Sequence, residues 1–107
     1  RDDLEGIAIV GERFFLISST GSLYEFREGA DEEDVAYRRT DAGVGSGCEV
    51  EGLDWEPERD ELLIACKVSR PERGAIVVHR LPVSPDRERP PPLRIPKTGL
   101  TRFGLDA

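Results

Sequence analysis

The stretch Glu51-Gly52-Leu53-Asp54-Trp55 decides the fold, because the chain repeats it. It is echoed at Glu5-Gly6-Ile7-Ala8 and more faintly at Phe103-Gly104-Leu105-Asp106. Gly6 and Gly52 stand 46 residues apart, and Gly52 and Gly104 stand 52 apart. A spacing of roughly 40–50 residues, with short apolar runs after each glycine, is the mark of a structural repeat.

The runs that follow the first two copies read as matching strings of strands. Gly6 to Val10 is apolar without clear alternation, which suits a strand covered on both faces. Gly11-Glu12 turns the chain, and Phe14-Phe15-Leu16-Ile17 centres a second strand over 13–18. Ser19-Thr20-Gly21 supplies a tight turn with glycine where positive φ is expected, and Leu23, Tyr24 and Phe26 mark a third strand over 22–27. An acidic loop over 28–34 leads to a polar outer strand over 35–40, whose two arginines hinder pairing with other chains. A helix over 30–39 would have only a weak apolar stripe.

Asp41 to Gly47 is a glycine-rich connection to the second copy, where strands are expected over 50–55, 61–67, 75–80 and 92–95. Phe14 to Ile17 aligns with Leu62 to Ala65, Gly21 with Gly74, and Phe26-Arg27 with His79-Arg80. Leu81 to Pro92 carries five of the eight prolines and is expected as an extended surface excursion. Residues 1–47 and 48–97 thus form two units, and 98–107 opens a third that the chain does not finish.

The expected fold is all-β. Four-stranded antiparallel units that begin with an inner apolar strand and end with a polar outer one have the pattern of β-propeller blades. A two-sheet sandwich has similar strand lengths, and the aligned internal repeat favours blades over it. Two such sheets are expected to pack face to face, burying Phe14, Leu16, Leu23, Leu53, Trp55, Leu63, Ile64 and Val77. Repeats bury their apolar faces against neighbours, so two blades leave two outer faces for further blades or for other copies of the chain. A chain that opens on Arg directly in front of a repeat reads as a processed or excised piece, with a lost signal sequence an open expectation.

A net charge of −7 argues against nucleic acid, whose binding needs a basic footprint, and suits small cations or cationic ligands better. No apolar run approaches the roughly 20 residues that span a bilayer as a helix, so no membrane anchor is expected. Cys48 and Cys66 fall near the open end of the hairpin formed by 50–55 and 61–67 but not clearly opposite each other, and buried thiols without a disulfide are the expectation.

The units also carry a resemblance. Leu4-Glu5-Gly6-Ile7-Ala8, Phe14 to Ser19 and Gly21-Ser22-Leu23-Tyr24-Glu25-Phe26 resemble a propeller blade of the phytase-like, SdiA-regulated type. Cys48 to Pro57 with Leu62 to Lys67 resembles the next blade of the same family. The resemblance implies export to the periplasm or the exterior, calcium binding in some members, and a phosphoester hydrolase activity in relatives. A second propeller group, the gluconolactonase-like enzymes, also opens blades with Glu-Gly and uses that glutamate as a divalent-metal ligand. Glu5 and Glu51 are the positions this similarity carries over, although Ile7 and Leu53 stand where that group has proline and Phe103 replaces the third glutamate.

Carboxylates at the starts of inner strands would converge on one hard cation, calcium above all, with Asp54 or backbone carbonyls adding oxygen ligands. The structural alternative is that each glutamate accepts backbone hydrogen bonds and fixes the entry of its blade. His79 has no Ser or Cys nucleophile beside it in sequence, and Lys67 ends a buried strand as a solvated cation. Two functions follow from these residues. One is a ligand- or partner-binding scaffold, taking a small molecule or an anionic ligand through a metal. The other is a metal-assisted phosphoester or lactone hydrolase whose site other blades complete.

Overall fold

The structure, a computed structural model, describes residues 2–27, 36–68 and 74–96. These residues form eight strands and no helix: β1 (Leu4–Val10), β2 (Arg13–Ser18), β3 (Ser22–Arg27), β4 (Tyr37–Asp41), β5 (Cys48–Glu56), β6 (Glu61–Val68), β7 (Ile76–Pro82) and β8 (Leu93–Ile95). They pair in sequence order into two antiparallel four-stranded sheets, β1-β2-β3-β4 and β5-β6-β7-β8, and neither sheet closes on itself. The acidic loop, the 69–73 loop and the third copy of the Glu-Gly stretch lie outside the described residues.

Turn chemistry sets the hairpins. Gly11, Gly21 and Gly74 adopt φ of 61°, 94° and 88°, a region in which a side chain would be strained. Between β5 and β6 the left-handed residue is Asp60, with φ 53°, and its carboxylate accepts a hydrogen bond from Trp55 Nε1 at 3.1 Å. Aspartate tolerates that conformation better than most residues. The Glu56 carboxylate closes the same turn by accepting from the backbone N–H groups of Glu58 and Arg59.

Pairing register makes the internal repeat concrete. Gly6 pairs with Ile17 and Gly52 with Ala65, and each inner strand carries a register irregularity immediately before its glycine, between Leu4 and Gly6 and between Val50 and Gly52. Arg13 and Glu61 are therefore twins, as are Glu25 and Arg80, so one cross-strand ion pair recurs with its signs exchanged. Arg13 meets Glu25 at 3.1 Å and Arg80 meets Glu61 at 3.0 Å. The Ser18 hydroxyl in the first unit accepts from Ser22 N–H, and its twin is Cys66.

The two sheets meet through their inner strands, β1 against β5, with β2 also touching β5. A Cβ placed on Gly6 would lie 2.8 Å from Leu53 N and 2.9 Å from Leu53 Cβ, which shows how closely the two backbones approach. One core fills the space between the sheets. It draws Ala8, Phe15, Ile17 and Leu23 from the first sheet and Val50, Leu62, Ile64 and Cys66 from the second, with Ala42 and Val44 of the connection. The connection is tied across the seam by Ala42 N–H to Gly21 O and Val50 N–H to Ser19 O.

This core corrects the expected one. Leu23 and Ile64 are buried, but Phe14, Leu16, Leu53, Trp55, Leu63 and Val77 are only half-buried. In the first sheet the covered face holds Phe15 and Ile17, and Phe14 and Leu16 point the other way. Cys48 and Cys66 form a disulfide with a Cα separation of 5.2 Å, contrary to the expectation of unpaired thiols. Val50 faces Cys66 and Cys48 faces Val68, so the two cysteines are diagonal neighbours on one face, within the usual Cα range for a bridge. A bridge closing a loop of this size contributes about 3 kcal/mol, chiefly by restricting the unfolded chain. Leu81 and Pro82 belong to β7, and the surface excursion begins at Val83, whose N–H donates to Asp60 O.

Glu61 is 2% exposed, and its carboxylate is held by Arg80 through Nε at 3.0 Å and Nη2 at 3.3 Å. Arg87 of the proline-rich excursion adds an ion pair at 3.4 Å and also donates to the carbonyls of Arg59 and Asp60. This network pins the excursion to the β5–β6 turn. Glu61→Ala should lower the unfolding free energy by about 3 kcal/mol, the lower end for a broken buried pair because both arginines keep some access to water. Urea unfolding followed by Trp55 fluorescence measures the loss.

Candidate functional site

Glu5 and Glu51 each occupy the extra position of the irregularity that precedes Gly6 or Gly52. An extra residue in a strand is left out of the ladder, and its side chain is re-aimed. Both glutamates are exposed, and neither carboxylate makes a hydrogen bond or ion pair among the described residues. The structural alternative, a carboxylate tied to backbone N–H groups at the strand entry, is therefore not what the described residues do. Each glutamate adjoins a glycine of the β1–β5 contact, since Gly6 lies against Gly52 and Leu53. The bulges thus bring Glu5 and Glu51 to the same end of two neighbouring strands.

Asp54 is also exposed. Two positions beyond Gly52, it shares that residue's outward face of the second sheet, while Leu53 and Trp55 pack toward the core. Its carboxylate accepts from the N–H of Trp55 at 2.9 Å. Lys67 is half-buried on the same outward face, opposite Glu49 and Ile76.

His79 sits where strand pairing puts it opposite Ile64, as Tyr24 is opposite Leu16. Its twin is Tyr24 and not Phe26, whose twin is Leu81. The side chain is half-buried, and its donor atoms lie within 4.8 Å of the sulfurs of Cys48 and Cys66. A cavity of about 220 Å³ bordered by Val44, Val68 and Val77 adjoins the three. Three such donors would make a metal site if both sulfurs were thiolates, but here they bond to each other. Burial, and secondarily the positive charge of Arg89, hold His79 below its ordinary pKa and keep the imidazole neutral.

The first unit solves the equivalent position without sulfur. The Asp2 carboxylate accepts from Thr20 Oγ1 at 2.7 Å, from Thr20 N–H at 3.2 Å and from Ser19 Oγ at 3.4 Å. Hydrogen bonds from Thr20 first, and then Ser18, hold it below the usual carboxylate range. Asp2 and Ser18 are the twins of Cys48 and Cys66, so hydrogen bonds in one unit and a covalent bond in the other close the same end of the sheet. Glu25 is pushed up by burial but pulled further down by Arg38 and Arg13, whose guanidinium groups both bond its carboxylate.

One feature escaped the sequence reading. The outward face of the first sheet carries an apolar groove of about 410 Å³ lined by Leu4, Leu16, Tyr24, Phe26 and Tyr37. The rings of Phe14 and Phe26 stack at 5.4 Å, and those of Tyr24 and Tyr37 tilt together at 5.8 Å. The alternation Tyr24, Phe26 in β3 was the available signal.

Because the folded pKa of His79 is depressed, the unfolded chain takes up its proton first as pH falls, and stability present above the unfolded value of 6.5 is lost below it. The fall in stability between about pH 6.5 and 5 should therefore shrink in His79→Gln. Urea midpoints at the two ends of that window check this. Comparison with protein-family models, with curated proteins and with solved structures finds no match for this chain.

Proposed function

We propose that the chain is a section of a β-propeller, two neighbouring blades, that works as a binding scaffold with a hard divalent cation, calcium, held at the entry of its inner strands. The observation that carries this reading is the pair of twin bulges: Glu5 and Glu51 are exposed at equivalent places on adjacent strands, with carboxylates that bond no described residue. Two carboxylates so placed repel each other unless a cation or a donor compensates. The donors on offer are all oxygens, which suits calcium and not a thiolate-loving metal. Asp54 contributes least to such a site, because it lies on the outward face and its carboxylate accepts from Trp55 N–H.

A cation held by two glutamates keeps open positions for an anionic small molecule. Partners of that class, and further blades, fit the acidic composition and the repeat reading better than nucleic acid does. The disulfide is consistent with export to the periplasm or the exterior, where such bonds persist. A phosphoester or lactone hydrolase would use the same cation with residues from other blades, and no observation favours that reading over a scaffold.

Calcium should raise the melting temperature of the unaltered chain and a chelator should reverse the gain. At 100 times the dissociation constant the stabilisation is about 2.7 kcal/mol. Glu5→Gln combined with Glu51→Gln should abolish the response, whereas Asp54→Asn should leave it. A melting temperature indifferent to calcium and chelator would return both glutamates to a purely structural role.

A further inference from the structure

The repeat says which sheet faces correspond. The first-sheet face buried in the core, with Gly6, Phe15, Ile17 and Leu23, is the twin of the outward face of the second sheet, with Gly52, Leu63, Ala65 and Val78. The second-sheet face that receives it, with Leu53, Leu62 and Ile64, is the twin of the outward face of the first sheet, with Ile7, Phe14 and Leu16. The molecule therefore holds one contact between a face of the first kind and a face of the second kind. Among the described residues, one face of each kind is left over.

Both leftover faces carry exposed apolar side chains, that of the second sheet beside Asp54 and Lys67. On the first sheet Ile7 is 54% exposed and Ile9 55%, beside the aromatic groove. On the second sheet Leu93 is 56% exposed next to Val78. The glycines are the sharpest indicator. Gly6 is overlain by Leu53, while no atom of a described residue beyond the chain neighbours of Gly52 lies within 4 Å of its Cβ position.

We infer that the outward face of the first sheet docks head to tail on the outward face of the second sheet in another copy of this chain, with Ile7 of one copy seated over Gly52 of the next. The internal contact is the template: Leu53, the twin of Ile7, sits over Gly6, the twin of Gly52. A contact between unlike faces leaves one of each kind at the ends of a pair, so it propagates to a ring or a filament. The inference rests on the repeat-unit reading proposed above and adds to it the partner and the polarity of docking.

Sedimentation velocity over a concentration series tests it on the whole chain. The unaltered protein should associate as concentration rises. Ile7→Glu should abolish association by spoiling one face, and Gly52→Leu by filling the seat on the other. Leu93→Glu is a second variant of that other face should Gly52→Leu fold poorly. Mixing Ile7→Glu with Gly52→Leu should restore a one-to-one dimer, because each variant keeps the face that the other lacks. A chain monomeric at every concentration, association that survives both Gly52→Leu and Leu93→Glu, or a mixture that stays monomeric would each overturn the inference. The melting response to calcium, measured on the same samples, separates the two claims: a monomer that still responds overturns the docking alone and leaves the scaffold reading in place.

Discussion

Everything in this molecule depends on how closely β1 can lie against β5, and the absence of a side chain at Gly6 sets that distance. The backbone N of Leu53 occupies space that a Cβ on Gly6 would need. With the inner strands so close, Phe15 and Ile17 of one sheet reach the same core as Leu62 and Ile64 of the other. The fully buried area is small, as expected of a chain of 107 residues, and so the seam carries much of the tertiary stability. Among the described residues, each sheet has one face covered by the other sheet.

The two units meet the same structural demands with different chemistry. An ion pair crosses from the second strand to the third in both, as Arg13 to Glu25 and as Glu61 to Arg80, with the signs exchanged. The open end of the first sheet is held by hydrogen bonds from Ser19 and Thr20 to Asp2, and that of the second by a disulfide. Position is what the repeat preserves, and a given position accepts any pair of side chains that satisfies it. Gly6 is the exception, because Leu53 leaves no room for a Cβ there.

That distinction explains what could be read from the sequence. Strands were legible because Gly11, Gly21 and Gly74 punctuate apolar runs, and their four-by-four arrangement was legible because Glu-Gly recurs. The covered face was not, since Phe14-Phe15-Leu16-Ile17 is apolar at every position and alternation alone chooses a face. The disulfide was hidden by register, because the diagonal relation of Cys48 to Cys66 follows from pairing on both sides of a bulge. His79 was matched to Phe26 and not to Tyr24 because the loop before β7 differs in length between the units. Glu5 and Glu51 were singled out by the repeat, but their exposure and lack of bonded partners among described residues came only with the structure.

The most direct test of the seam compares its two glycines. Gly6→Ala and Gly52→Ala make the same chemical change at twin positions, one under Leu53 and one with open space among the described residues. Unfolding in urea, followed by Trp55 fluorescence, should show Gly6→Ala destabilised by about 1–3 kcal/mol as an overpacked contact, and Gly52→Ala unchanged or slightly more stable. Equal effects of the two substitutions, or a silent Gly6→Ala, would contradict the claim that the approach of β1 to β5 organises the fold.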